Sequence, residues 1–179
     1  MFGGGLRKPK NVRVAGKRLS EILEAHERFA RAGEGGARAE LAGADLARVD
    51  LSGAILTHAN LAGARLERAS LREATLASAD LTGARLCDAD LRTCDATGAD
   101  FSGADLSGAD LSGAELFRAN FSRCVMRRAK VRAANFRQAI LRDADLSGAD
   151  LNIASLRQTD LEGAKLDGAD LQTSIIRKV

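Results

Sequence analysis

Residues 101–116 read FSGADLSGADLSGAEL. Taken alone, the Gly, Ser and Asp content suits a flexible acidic linker, but the even spacing of Phe101, Leu106, Leu111 and Leu116 does not. That spacing of five continues without a slip from residue 39 to residue 178. With the large residue of each pentad taken as its centre, 28 centres run from Leu41 to Ile176 in one frame. Of these, 21 are Leu and the others are Ala96, Phe101, Phe121, Met126, Val131, Phe136 and Ile176. Two residues before the centre, Ala occupies 23 positions, and the exceptions are Val49, Cys94, Cys124, Thr159 and Ser174.

A period of five fits neither an amphipathic helix nor a half-buried strand. Fixed internal periods point to a solenoid, whose repeats bury their apolar side only by stacking on neighbours. A short turn of backbone with one tiny and one large inward residue accounts for the pattern, and four such turns would close one coil of twenty residues.

The recurring Ala-Asp/Asn-Leu, as in Ala59-Asn60-Leu61 and Ala104-Asp105-Leu106, resembles the pentapeptide-repeat family over about four fifths of the chain. The resemblance implies an all-β solenoid: a right-handed quadrilateral β-helix, one pentad per face, of about seven coils. At a strand spacing near 4.8 Å such a rod is roughly 34 Å long. Side chains twenty residues apart then stack, so Phe101 should lie directly beside Phe121. Ala96, the smallest centre, precedes Phe101 and is expected to compensate its volume within one coil.

Three segments are expected: a basic, partly mobile stretch at 1–19, a capping helix and Gly-rich connection at 20–38, and the repeats at 39–179. Residues 1–18 carry basic groups and no acidic one, and Val12 and Val14 alternate with polar neighbours in the manner of a short strand. Ser20 is the expected N-cap of the helix, with Glu21 and Glu24 in its first turns and Gly33 as its left-handed stop. Ile22, His26 and Phe29 share one stripe facing the open first coil. At the other end, Ile175, Ile176 and Val179 form an apolar terminus expected to join a second copy in a homodimer through the C-terminal coils.

No catalytic, cofactor or metal site is expected. Cys94 and Cys124 occupy inward positions and stand in for Ala; Cys87 points outward and is the sole candidate for thiol reactivity. No Cys/His cluster has zinc-like spacing, and His26 and His58 have no nucleophile arranged beside them. Gly33-Glu34-Gly35-Gly36 lacks the Lys and Ser/Thr of a phosphate loop. No apolar run is long enough to cross a bilayer, and Met1–Lys10 has no apolar segment following its basic residues, so the expected location is the cytoplasm.

Function must then come from outward positions. The chain carries a formal net charge of +3, yet residues 80–115 hold eight acidic groups against only Arg85 and Arg92, and the charged residues of 116–142 are all basic. Two readings compete. In the first, the protein is a rigid interaction or scaffold module with a partner-protein surface near Phe117, Arg118, Arg123, Val125, Arg127, Arg128, Arg132 and Ile140. In the second, implied by the family resemblance, it mimics duplex DNA and binds, inhibits or protects gyrase, using an acidic ridge of Asp50, Asp90 and Asp110. That ridge is broken by Lys130. Asp before the centre also serves backbone donors at turns. Direct nucleic-acid binding is disfavoured because no Tyr or Trp accompanies the arginines.

Overall fold

Each pentad builds the same piece of backbone. In the computed structural model, which describes residues 5–172 and 174, Ala104 N–H donates to the Phe101 carbonyl at 3.0 Å. This closes a four-residue turn whose third residue, Gly103, has φ 66°. That is why Ser-Gly-Ala recurs: the third turn position lies in the left-handed region, where Gly is unstrained. The residue before the centre pairs with its equivalent twenty residues on, through parallel bridges from Glu40↔Asn60 to Asp150↔Asp170. In each step the centre's N–H donates forward, as from Leu41 to the Asn60 carbonyl at 2.7 Å, while Asn60 N–H donates back to Ala39 at 2.9 Å. Four pentads therefore make one rung of a parallel β-helix.

The rungs place four outward columns side by side, which start at Glu40, Asp45, Asp50 and Ile55. Between columns the chain turns a corner through two further outward residues. The centres and the small residues two before them fill the interior, and Ala104, Leu106, Ala109 and Leu111 are all fully buried. Ala96 and Phe101 are both buried within that core, and Phe101 stacks on Phe121 as the spacing requires. The polar residues that replace Ala at two inward positions are satisfied: Thr159 Oγ1 donates to the Phe136 carbonyl and Ser174 Oγ to that of Leu151.

The segment before the repeats packs on the first rung. A two-residue hairpin joins β1 (Arg13–Val14) to β2 (Lys17–Arg18), with Ala15 and Gly16 both at positive φ, the pattern that matches strand twist. Helix α1 follows at Leu19–Ala30. Its N-cap is Arg18, not the expected Ser20, because the hairpin register ends the extended chain at Arg18 and the first helical residue, Leu19, is fully buried. Glu21 accepts the Arg18 N–H at 3.1 Å in place of a hydroxyl cap.

The helix stop also differs from expectation. Ala32, with φ 52°, is the left-handed residue, and Gly33 N–H donates back to Arg28 at 2.8 Å while Ala32 N–H reaches Phe29. These are the two bonds of a Schellman motif. Gly36 is needed for another reason: a Cβ there would stand 2.4 Å from the Phe29 nitrogen. The basic stretch is not loose from Arg7 onward. Arg7 bridges Val49 in parallel, receives the Asp50 N–H and donates its own N–H to Arg48, covering an edge of the first rung.

Candidate functional site

The outward carboxylates are engaged first with their own turns. In pentad after pentad the Asp or Asn before the centre accepts the backbone N–H two residues on, as Asp100 does from Ser102 at 2.8 Å and Asp110 from Ser112 at 3.0 Å. Such side-chain turns satisfy a donor the ladder leaves free. The acidic ridge is built this way. Asp90 pairs with Asp110 along one column, but Ser70 separates Asp50 from them and Lys130 follows. Asp50 is bound by Lys8 at 3.0 Å, and Asp90 accepts the Arg92 guanidinium in two bonds, at 2.8 and 2.6 Å. In both, the hydrogen bond to the cation holds the carboxyl below its usual range.

The basic band winds round all four sides. Val125 lies on the Asp45 column and Ile140 on the Glu40 column, where it is 38% exposed. Arg123, Arg127, Arg128 and Arg132 sit at three successive corners. The sequence-derived surface is thus not one patch, and two of its five arginines, like Arg142 beyond it, are met by a carboxylate of the next rung. Arg127 donates to Asp145 at 2.7 Å, Arg132 to Asp150 at 3.3 Å, and Arg142 pairs with Asp160. In all three, an arginine just after a centre meets the aspartate eighteen residues on. Asp145, nearly buried, is held down to about 2 by the Ser147 hydroxyl and amide and then by Arg127.

The fourth corner breaks this rule. There the position eighteen residues after Arg137 is Ser155, and the position before its own centre is Asn135. Instead of a carboxylate, the Arg137 guanidinium finds the Phe117 ring, 5.3 Å from its centroid. Arg118 lies over the same ring at 4.8 Å, and its Nε donates to Gln138 at 2.9 Å. Gln138 donates onward to Gln158 at 3.0 Å. Arg137 escapes notice in the linear sequence because it looks like every other arginine of the band. The discriminating signal is the residue eighteen positions later.

Other candidates carry less chemistry. Cys87 is half-buried, and burial together with the Asp105 carboxylate raises its thiol to about 11. Cys94 and Cys124 are buried and pushed up to about 12 by desolvation. An open groove of about 740 Å³ beside Cys87 is lined by Ser107, Arg127, Arg128 and Ser147, but Arg127 is tied to Asp145 and the two serine hydroxyls donate to Asp105 and Asp145. His26 is fully buried, accepts the Ala39 N–H at Nδ1 at 3.0 Å, and packs on Phe29. Among the described residues no group of three or more His, Cys, Asp or Glu is placed to hold a metal ion, and no helix is long and apolar enough to cross a membrane. Ile175, Ile176 and Val179, the expected dimer end, lie outside the described residues.

The fold and its surface define a solenoid of stacked five-residue turns. The pentapeptide repeats profile matches in overlapping segments from residue 37 to residue 178, and the chain belongs to that family. Among solved structures, HetL, a pentapeptide repeat protein involved in heterocyst differentiation regulation in the cyanobacterium Nostoc sp. strain PCC 7120, is 36% identical, over 79% of this chain and 71% of that one, with a TM-score of 0.39. A trypsin-treated form of QnrB1, a plasmid-mediated fluoroquinolone resistance protein, is 24% identical over 79% and 78% of the two chains, with a TM-score of 0.52. A pentapeptide repeat protein of the Arabidopsis thaliana thylakoid lumen is 30% identical over 59% and 70%, with a TM-score of 0.40. No curated protein matches the sequence.

Proposed function

We propose that this protein is a non-enzymatic, rigid interaction or scaffold module that displays side chains to a protein partner from the sides of a right-handed quadrilateral β-helix of about seven coils. In this reading α1 and the hairpin cap the first coil. The observation that carries it is the fate of the carboxylates. A duplex mimic needs rows of acidic groups facing solvent unpaired, whereas here Asp50 and Asp90 are bound by Lys8 and Arg92, and the aspartates of the turns accept backbone N–H bonds. With the acidic groups serving the fold, the outward arginines and apolar residues are left as the recognition surface.

The opposite end supports self-association. Leu161, Leu166 and Leu171 are only partly buried, whereas the centres before them from Leu41 to Leu156 are at most 2% exposed. A homodimer through the C-terminal coils would cover these leucines and the edge donors beside them. The expected compartment is the cytoplasm.

A gyrase supercoiling assay with the purified protein decides between the two readings. The scaffold reading expects supercoiling to proceed unchanged, with or without a fluoroquinolone. Inhibition of supercoiling, or relief of drug inhibition, at micromolar protein would establish the mimic instead. Sedimentation over a concentration series tests the dimer, and a monomer throughout would remove that part of the proposal.

A further inference from the structure

We infer that the corner formed by Phe117, Arg118 and Arg137 is a docking site for a carboxylate-rich peptide segment of a partner protein. The inference rests on the scaffold reading and names the partner's chemistry. It begins from an asymmetry in how the rod neutralises its own arginines. At three corners an arginine following a centre is met by an aspartate of the next rung: Asp145, Asp150 and Asp160. At the fourth corner the equivalent position is Ser155, and Asn135 holds the place from which Asp90 grips Arg92 elsewhere. The nearest acidic side chain on that column, Glu115, accepts the Asn135 amide at 2.8 Å. Neither Arg118 nor Arg137 has a carboxylate partner among the described residues.

Yet the two guanidiniums are not left to wander. Both sit over one ring, at 4.8 and 5.3 Å, an attraction that orients an arginine without cancelling its charge. Gln138 holds the Arg118 Nε, and its bond to Gln158 fixes it in turn. Two like charges gathered on one half-buried ring repel each other unless an anion joins them. Their planar forks, with most N–H donors unpartnered among the described residues, match carboxylates in paired bonds. Pre-ordering lowers the entropy lost when such an anion docks.

A peptide fits better than a nucleic acid. The Phe117 ring, the one outward aromatic of the band, already carries the Arg118 and Arg137 guanidiniums, which compete with a base for stacking on it. Towards the C-terminal end the same corner continues to the exposed Arg157, which extends the positive charge, whereas towards the N-terminal end it runs between columns that carry Asp95 with Glu115 and Asp80 with Asp100, so an acidic segment is expected to lie on the C-terminal side. Ile140, exposed on the next column, adds an apolar contact.

The test is fluorescence anisotropy of a labelled octaglutamate peptide against the full chain, with octaserine and an eight-nucleotide oligothymidylate as comparisons. Octaglutamate is expected to bind saturably and octaserine not at all. Arg137→Gln should weaken binding about tenfold, and Phe117→Leu should weaken it several-fold through lost ordering. Arg132→Gln, which removes an arginine already paired with Asp150, should change it less than twofold. Circular dichroism melts of the same variants verify the fold, since Arg137 is exposed and its loss should leave the melt unchanged. Equal losses in Arg137→Gln and Arg132→Gln would mean diffuse charge attraction and overturn the site. So would absence of saturable octaglutamate binding, or tighter binding of the oligonucleotide. Such failures with supercoiling unaffected discard this corner alone, whereas inhibited supercoiling discards the scaffold reading beneath it.

Discussion

Phe101 and Phe121 stack face to face inside the rod, with ring centroids 4.7 Å apart and planes 4° from parallel. Their separation is the strand spacing of the ladder, so the rings follow the backbone repeat with no lateral adjustment. Phe136 meets Phe121 edge-on at 5.6 Å. Three large centres thus share a core that is elsewhere mostly Leu and Ala, and Phe121 touches both of the others.

Phe121→Ala should therefore be among the most damaging core substitutions, costing about 3–5 kcal/mol. The interior cannot collapse around the gap, because every rung is fixed by bonds to the rungs on either side. Urea denaturation followed by circular dichroism measures the cost. Phe101→Ala combined with Phe121→Ala should lose less than the sum of the two, since the stack is counted in each single variant. Strict additivity would show that the rings do not stabilise each other.

A second prediction concerns backbone strain. Ile153 occupies the third turn position with φ 64° and is 54% exposed. A β-branched side chain is costly in the left-handed region, and an exposed one recovers little by burial. Replacing Ile153 by Gly should raise stability by about 1 kcal/mol, the relieved strain outweighing the added freedom of the unfolded chain. The reverse change, Gly148→Ala at φ 69°, should lower it. Opposite shifts of the denaturation midpoint check the pair.

How much of this was legible beforehand follows from what repeats. The inward pair, as at Ala104 and Leu106, meets the same surroundings in every pentad, so periodicity exposes it, and Phe101 over Phe121 follows once the coil holds four pentads. The turn role of Asp100 or Asp110 is local and equally readable. The pairing of Arg127 with Asp145 is not, since it depends on which residue of the next rung lies beneath a corner. The amino end has no repeat to average over. There Leu19 burial and the hairpin register fix the helix start at Arg18, and the bond from Gly33 to Arg28 makes Ala32, not Gly33, the left-handed residue. Neither outcome is written in the local residue types.

A third prediction follows from two titrating groups. Burial, the largest influence, lowers the pKa of His26 from the ordinary 6.5, and Arg38 and His58 nearby act in the same direction. The folded chain thus holds His26 neutral, with Nδ1 accepting the Ala39 amide, while the unfolded chain takes up a proton below about pH 6.5. Stability from this residue is complete above that pH and declines as pH falls through the lowered folded value. His26→Gln should flatten the slope that begins below about pH 6.5. Asp145 adds a separate loss at lower pH: its contribution is present above about pH 4 and disappears as pH falls through about 2. Asp145→Asn should remove that second decline and leave the first. An unchanged pH profile in His26→Gln would place the acid sensitivity elsewhere.

The fourth prediction concerns the outward thiol. Cys87 is raised to about 11 by burial first and by Asp105 second, while Cys94 and Cys124 are inside the rod. The thiolate is the reacting species, so at pH 8 a thiol at 11 presents roughly a hundredfold less of it than one at the ordinary value near 9. Alkylation of the native protein by iodoacetamide at pH 8 should be slower than that of free cysteine by about that factor, with all three thiols reacting readily in denaturant. Asp105→Asn removes the carboxylate that disfavours the thiolate and should speed labelling at Cys87 several-fold without exposing Cys94 or Cys124. Mass spectrometry of the labelled peptides separates the three sites, and rapid native labelling at Cys87 would show that its shielding by Asp105 and the surrounding corner is not what controls the thiol.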